Sequence, residues 1–197
     1  GTMPLFTCII SHFSLTGEKA NFSVFFGLFL GFLGMIALFE FPNTEFLSRN
    51  NFVNLIILFS AFCYALSANC VKSVRTLSSL QIATSSTIYA TILSFVSLPF
   101  IISSQNNSIH NILISISLKS LFASLVLGVF CTATAIIVFF YLIKKKGAVF
   151  ASQSNFLIPC FGILWSYLFL NEDINNQIIV GLTIILFGLY FVHRGRN

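Results

Sequence analysis

Polar residues recur along one long apolar segment near the C-terminal end of the chain. Ser152, Asn155, Pro159 and Ser166 follow one another at intervals of three, four and seven residues. In a helix this spacing puts all four on one face. Because polar groups are costly in lipid, such a face is expected to turn toward the interior of a helical bundle. We interpret it as the wall of a solute-binding cavity. The alternative is a set of hydrogen bonds between packed helices.

A shorter version of this pattern stands near the start of the chain. Pro4 and Ser11 are seven residues apart, as Pro159 and Ser166 are. A proline inside a helix removes one backbone hydrogen bond. Membrane proteins tolerate the break where a neighbour or an aqueous cavity satisfies the freed carbonyl group. Pro4 and Ser11 are therefore candidates for the same cavity, and Tyr64, in a third apolar segment, is the remaining candidate.

The other polar side chains give no sign of catalysis. His12 is the only histidine inside an apolar segment. Imidazole titrates near neutral pH, but the place of His12 near the end of its segment favours a structural role. Asn69 is expected to approach the membrane interface together with Lys72. No Asp or Glu lies deep in an apolar segment, so proton coupling through a buried carboxylate is not indicated. No phosphate-binding loop or nucleophile motif occurs, so we expect neither an enzyme nor a cofactor.

The cysteines suggest packing rather than chemistry. Their number is odd, and no pair has the spacing of metal ligands. Each lies in an apolar segment, where a thiol behaves as a small apolar group. We therefore predict no disulfide framework and no metal site. The cysteines are Cys8, Cys63, Cys70, Cys131 and Cys160.

Composition identifies the elements that must position these residues. Hydrophobic residues make up 57% of the 197-residue chain and charged residues only 8%, whereas a soluble domain has about 25% charged residues. The mean hydropathy is +0.96. The apolar runs are continuous and of membrane-helix length, unlike the alternating strands of a β-barrel. The sequence predicts an all-α, polytopic membrane protein. A partial span is predicted at 2–15, and full spans at 21–41, 52–71, 80–103, 118–143, 148–170 and 177–193.

The charges predict how these spans are oriented. If the loop that contains Lys19 is on the inside, the alternating inside loops hold eight basic residues and the outside loops hold two, Arg49 and Lys119. This bias agrees with the positive-inside rule and places the C-terminus in the cytoplasm. The net charge of +5 is therefore a topology signal, and no nucleic acid is expected as a partner. The inside residues are Lys19, Lys72, Arg75, Lys144, Lys145, Lys146, Arg194 and Arg196.

An internal repeat connects the two ends of the chain. A helix that contains proline, a short acidic turn and a helix with glycines seven residues apart occur in both places. The two copies face opposite sides of the predicted membrane, as in the inverted repeats of secondary transporters. The aligned pairs, with one residue of slack before the turn, are Pro4 and Pro159, Phe6 and Phe161, Ser11 and Ser166, Glu18 and Glu172, Asn21 and Asn175, Gly27 and Gly181, Leu28 and Leu182, and Gly34 and Gly188.

The glycines of the repeat predict close helix packing. Gly27 and Gly31 form a GxxxG pair, and Gly34 and Gly188 extend faces of small residues. Small residues let two helix backbones approach each other in a membrane. We expect these faces to pack either within the bundle or between protomers.

Three stretches of the chain resemble a known family. They are MPLFTCIISHFSLTGEK with the following GLFLGFLG, TATAIIVFFYLIKKKGAVFASQSNFLIP, and IPCFGILWSYLFLNEDINNQIIVGLTIILFG. Together they resemble the EamA-type branch of the drug/metabolite transporter (DMT) superfamily. The resemblance implies ten helices in two five-helix halves, of which about 6.5 are present here. Residues 1–41 would hold the end of helix 4 and helix 5, and residues 52–193 helices 6–10, in a chain truncated at its N-terminus.

The resemblance also implies a function. Members of such a family move small organic metabolites, such as amino acids, by alternating access between the two halves. The implied partners are the lipid bilayer and a small-molecule solute, with a homodimer or the missing N-terminal half as further partners. The alternative is a truncated or decayed member that inserts and packs but does not transport independently. We expect a multi-pass protein of the bacterial inner membrane.

Overall fold

The fold is built from helices. The computed structural model describes residues 1–13, 21–38, 51–74, 76–104 and 117–195, and no strand occurs among them. The all-α fold predicted from the sequence is therefore confirmed. In chain order the helices are α1 (Met3–Phe13), α2 (Phe22–Leu38), α3 (Asn51–Ser73), α4 (Ser79–Ser104), α5 (Leu118–Val126), a π-helical segment (Leu127–Thr132), α6 (Ala133–Lys146), α7 (Ala148–Ser152), α8 (Ser154–Leu170) and α9 (Asn176–Arg194).

Five of the predicted full spans correspond to helical stretches that are long and apolar enough to cross a membrane. The sixth, predicted at 21–41, is represented by α2, which has 17 residues; residues 39–41 lie outside the described part of the chain. The partial span predicted at 2–15 contains α1. Residues 14 and 15 also lie outside the described part of the chain. The five long stretches are Phe52–Ser73, Ser79–Pro99, Leu118–Lys146, Ala148–Leu170 and Asn176–Arg194.

The helices belong to two compact units. The first unit comprises Gly1–Val74 and Leu142–Asn197, and the second comprises Arg75–Tyr141. The first unit therefore contains α1, α2, α3, α7, α8 and α9 with the end of α6. The second contains α4, α5, the π-helical segment and the beginning of α6. Each unit is described by itself.

In the second unit, polar side chains support the helices locally. The Ser78 N–H donates to Gln81 Oε1 at 2.8 Å, and the Gln81 N–H donates to Ser78 Oγ at 3.2 Å. This reciprocal pair is a capping box, which satisfies backbone donors at the start of α4. In the π-helical segment, Thr132 Oγ1 donates to the carbonyl oxygen of Leu127 at 2.9 Å. The backbone N–H of Ala133 donates to the Gly128 carbonyl, and this backbone spacing of five residues is the one that distinguishes a π-helix from an α-helix.

The core of the first unit lies where α9 packs along α2. The two helices run antiparallel, because Asn21 at the start of α2 donates to the Gly195 carbonyl at 3.2 Å, while Gln177 in α9 donates to the Ala37 carbonyl at 2.9 Å. Side chains from α1, α7 and α8 complete the same core. Its buried members are Cys8, Val24, Leu28, Leu38, Val149, Phe156, Ile185 and Val192.

Glycines determine how closely α2 and α9 approach. A Cβ atom on Gly188 would lie 2.6 Å from both the Gly27 carbonyl oxygen and the Gly31 nitrogen. A Cβ atom on Gly27 would lie 2.6 Å from the Gly188 carbonyl oxygen. Such distances are far shorter than real contacts of a Cβ atom, so no larger residue fits between these backbones. The close packing predicted from the glycine pattern is therefore present within the chain.

The contacts between α2 and α9 are also self-complementary. When each residue is exchanged for its counterpart in the repeat alignment, the contacts map onto one another. The contact of Gly27 with Val192 corresponds to that of Gly181 with Leu38, and the contact of Gly34 with Ile185 to that of Gly188 with Gly31. The hydrogen bonds obey the same exchange: Ser23 Oγ donates to the Phe191 carbonyl at 3.1 Å, and Gln177 Nε2 donates to the Ala37 carbonyl at 2.9 Å. Reciprocity of this kind is the property of an interface with two-fold symmetry.

Candidate functional site

A buried polar cluster lies where α1, α3 and α7 meet. It consists of Thr7 and Ser11 from α1, Asn69 from α3 and Ser152 from α7. These four side chains are between 0% and 4% exposed, although the helices that carry them are apolar. Because polar groups inside a membrane protein are costly unless they are bonded, a cluster of four is the strongest candidate for a functional site in this unit.

A single-residue turn brings α7 into this cluster. Gly147 separates α6 from α7 and has φ 104°, in the left-handed region that favours glycine. Its N–H donates to the Ile143 carbonyl at 2.9 Å, and its carbonyl accepts from the Ala151 N–H at 3.1 Å. Helix α6 therefore ends at its last lysine, and α7, which carries Ser152 at its end, begins immediately after Gly147.

Asn69 holds α3 against α1. Its Nδ2 donates to the Ala65 carbonyl at 2.9 Å and to the Thr7 carbonyl at 3.3 Å. Thr7 Oγ1 in turn donates to the Met3 carbonyl at 2.8 Å. The buried location of Asn69 differs from the expectation that it approaches the interface beside Lys72. Asn69 is thus a member of the cluster that the sequence interpretation left out of the candidate site.

Ser152 and Asn155 lie next to each other on either side of a short irregularity. The helix predicted at 148–170 is interrupted at Gln153, which separates α7 from α8. Ser152 Oγ donates to the Val149 carbonyl at 2.9 Å. Asn155 Nδ2 donates to the Ser152 carbonyl at 3.1 Å and to Met3 Sδ at 3.0 Å. Asn155 therefore connects α8 to the first turn of α1, beside the cluster.

The two prolines of the repeat occupy different places in their helices. Pro159 lies inside α8, where the missing N–H leaves the Asn155 carbonyl without its helical donor. Pro4 is buried in the first turn of α1, where backbone N–H groups have no partner within the helix. The expectation that both prolines remove a helical hydrogen bond is therefore met by Pro159 alone within the described helices.

Ser166 and Tyr64 lie away from the cluster. Ser166 Oγ donates to a carboxylate oxygen of Glu172, near the end of α8. Close to this end is an open groove with a volume of about 660 Å³, lined by Tyr167, Asp173 and mainly apolar residues of α9. The side chain of Tyr64 on α3 is 66% exposed. Of the seven residues singled out from the sequence, Ser11 and Ser152 are buried on helices of the junction, and Asn155 contacts Met3, the neighbour of Pro4 in α1. Ser166 and Tyr64 lie elsewhere, and Pro159 lies one helical turn beyond Asn155.

Metal chemistry has no support in the part of the chain that the structure describes. No group of three or more His, Cys, Asp or Glu side chains comes together there. All five cysteines lie in described helices, and no disulfide joins them. The polar groups of the cluster are instead hydroxyls and carboxamides, which bind neutral or zwitterionic groups through hydrogen bonds.

The spans and the absence of strands among the described residues define a polytopic, all-α membrane protein. A comparison with models of protein families identifies the family: the model of the EamA-like transporter family matches residues 51–194. The chain belongs to this family and is a multi-pass, transporter-like membrane protein. No match to a curated protein or to a solved structure was found.

Proposed function

We propose that the protein moves small organic solutes, such as amino acids or related metabolites, across a membrane by alternating access. The observation that carries this proposal is the match of residues 51–194 to a transporter family. The five apolar helical stretches of spanning length agree with it. The family match and the spans support transport as a class, while the solute and the mechanism are the proposed part.

The interface between α2 and α9 supports an inverted repeat. Two antiparallel helices whose contacts exchange under the repeat alignment are expected where two copies are related by a two-fold axis in the membrane plane. We therefore assign residues 1–41 to one repeat and 52–193 to the other. The α2–α9 pair would then be the place where the two repeats hold together.

The proposed cavity wall is supported by the same arrangement. Pro4, Ser11, Ser152 and Asn155 come from both proposed repeats and lie at or beside the polar cluster. Pro159 contributes the freed carbonyl group of Asn155, an additional hydrogen-bond acceptor. In this proposal a solute forms hydrogen bonds with this side of the cavity. Ser166 and Tyr64 face the cavity at other positions.

The proposed orientation is supported by the charges. The cluster lies at the helix ends that also carry Lys72 and Lys144, Lys145 and Lys146, which the positive-inside rule assigns to the cytoplasm. We propose a bacterial inner-membrane protein with a cytoplasmic C-terminus. A periplasmic reporter fused after Asn197 is expected to be inactive; an active reporter would reverse the orientation.

Transport is tested by reconstitution. The purified chain is incorporated into proteoliposomes, and uptake of a labelled amino-acid mixture is compared with protein-free vesicles. Uptake above this control is expected, and Asn155→Ala should reduce it by about tenfold, corresponding to 1.4 kcal/mol. Cys63→Ala, at an exposed position on α3, is the matched control.

The competing hypothesis is a family member that inserts and packs but does not transport independently. It predicts a folded, thermally stable chain with no uptake of any solute in the mixture. Thermal unfolding of the same preparation separates this outcome from a chain that has not folded.

A further inference from the structure

Two buried polar atoms have no hydrogen-bond partner in the described part of the chain. They are Ser11 Oγ and Asn69 Oδ1. The Ser11 side chain is 1% exposed and that of Asn69 is 4% exposed. Most buried polar groups in proteins are bonded either to protein or to ordered water, so two such atoms in one helix junction require a physical cause.

The orientation of the Asn69 carboxamide is fixed. Its nitrogen has two hydrogens, and these point to the carbonyl oxygens of Ala65 and Thr7. If the amide were turned over, Oδ1 would face two acceptors and both hydrogen bonds would be lost. Asn69 Oδ1 must therefore point to the other side, and as an acceptor it requires a donor there.

The same contact occupies one of the acceptors that would otherwise be open to Ser11 Oγ. A serine in a helix commonly donates to a carbonyl three or four residues before it, and Ser85 donates four residues back, to Gln81. The carbonyl four residues before Ser11 belongs to Thr7, which already accepts from Asn69 Nδ2 at 3.3 Å. The helical N–H of Ser11 uses its remaining lone pair. Both unpartnered atoms are thus neighbours of one saturated carbonyl group.

We propose that a single water molecule binds at this junction and connects Ser11 Oγ with Asn69 Oδ1. The water donates one hydrogen to Asn69 Oδ1 and forms its second hydrogen bond with the Ser11 hydroxyl. A buried water makes about two to four hydrogen bonds, and this one has two partners, a fixed acceptor and a hydroxyl that rotates to suit it. It adds a second link between α1 and α3, beside the direct bond from Asn69 to Thr7.

The chemistry of the site selects a small hydrogen-bond donor. Water meets this requirement while the junction is closed, since both side chains are almost completely buried. An amino group of a transported solute offers the same donors but would have to enter from outside. The two sources are distinguished by whether occupancy depends on added solute.

The sign of a stability change tests the proposal. Ser11→Ala is made in the full chain, and its Tm in detergent is compared with that of Ser152→Ala. Ser152 is equally buried, and its hydroxyl already has a protein partner, the Val149 carbonyl. If water is bound, Ser11→Ala removes a satisfied hydroxyl and lowers the Tm by about 2–4 °C, at least as much as the control does. A Tm that rises relative to the control means that an unsatisfied hydroxyl was removed, which overturns the proposal.

A direct structural measurement completes the test and does not depend on a variant that folds. In an experimental map of the solute-free protein, a water peak within hydrogen-bond distance of both atoms is expected. An empty junction would overturn the proposal. A peak that appears only with an amino-containing solute would assign the site to the solute instead and also reject the bound water.

Discussion

The α2–α9 interface and the α1–α3–α7 junction join helices in opposite ways. Between α2 and α9, side chains are absent at the closest points and backbone lies against backbone. In the junction, side chains fill the contact and carry polar atoms, two of them without a partner. Helix association in lipid depends on packing and hydrogen bonds, because burial from water contributes little. At its closest points the first interface consists of backbone packing, whereas the second contains two polar atoms that no group in the described part of the chain bonds.

This difference suggests separate roles in a transporter. An interface of interlocked backbones has one arrangement, because any shift along it brings atoms into collision. A junction in which a water takes part in the hydrogen bonding, as we propose, can exchange partners at little cost in free energy. We therefore expect α2 and α9 to stay together during transport and the junction to be the part that rearranges.

The largest effect is expected from Gly188→Ala. Its Cβ would lie 2.6 Å from backbone atoms of Gly27 and Gly31, so α2 and α9 would have to separate. We expect a loss of about 3 kcal/mol in stability, measured by thermal unfolding in detergent. The control is Gly162→Ala in α8, where a Cβ meets nothing within 4 Å and where alanine should stabilise the helix by roughly 0.5–1 kcal/mol. Equal stability of the two variants would contradict the close packing.

A smaller effect is expected from Asn69→Ala in the junction. The substitution removes the two hydrogen bonds that connect Asn69 to the Ala65 and Thr7 carbonyl groups. Polar contacts between membrane helices contribute about 1–2 kcal/mol at most, and we expect a loss within that range. Cys70→Ala, at the exposed neighbouring position, is the control. If Asn69→Ala were as damaging as Gly188→Ala, the two interfaces would not differ in the way described.

The smallest effect tests the symmetry of the α2–α9 contacts. Ser23→Ala and Gln177→Ala each remove one hydrogen bond to a carbonyl of the opposite helix. Because the two bonds are counterparts in the repeat alignment, we expect equal losses of about 0.6 kcal/mol. The positions lie at opposite ends of the interface, so the double variant should show the sum of the two effects. Chemical denaturation measures the free energy of unfolding of each variant. Clearly unequal losses would contradict an energetic equivalence of the two hydrogen bonds.

Much of the fold could be predicted from the sequence because its signals are local. Continuous apolar runs define the helices, and the glycines at positions 27, 34, 181 and 188 indicate faces of close approach. The partner of those faces was left open between the bundle and a second protomer, since small residues promote both contacts equally. The structure pairs α2 with α9 inside one chain.

The candidate site was predictable only in part. The spacing of Ser152 and Asn155 indicated a polar face, and both residues lie at or beside the junction. Asn69 was missed because an asparagine near Lys72 has the same local sequence whether its helix end faces solvent or a neighbour. Its burial depends on α1, which is far away in the chain, so periodicity within α3 carries no information about it.

The one-residue turn at Gly147 affects how the chain enters the membrane. The helical stretches Leu118–Lys146 and Ala148–Leu170 are separated by that residue alone, so a ribosome delivers the second span as soon as the first is complete. Whichever side of the membrane retains the three lysines, both stretches must meet there. One charge cluster is therefore the flanking positive signal for both stretches.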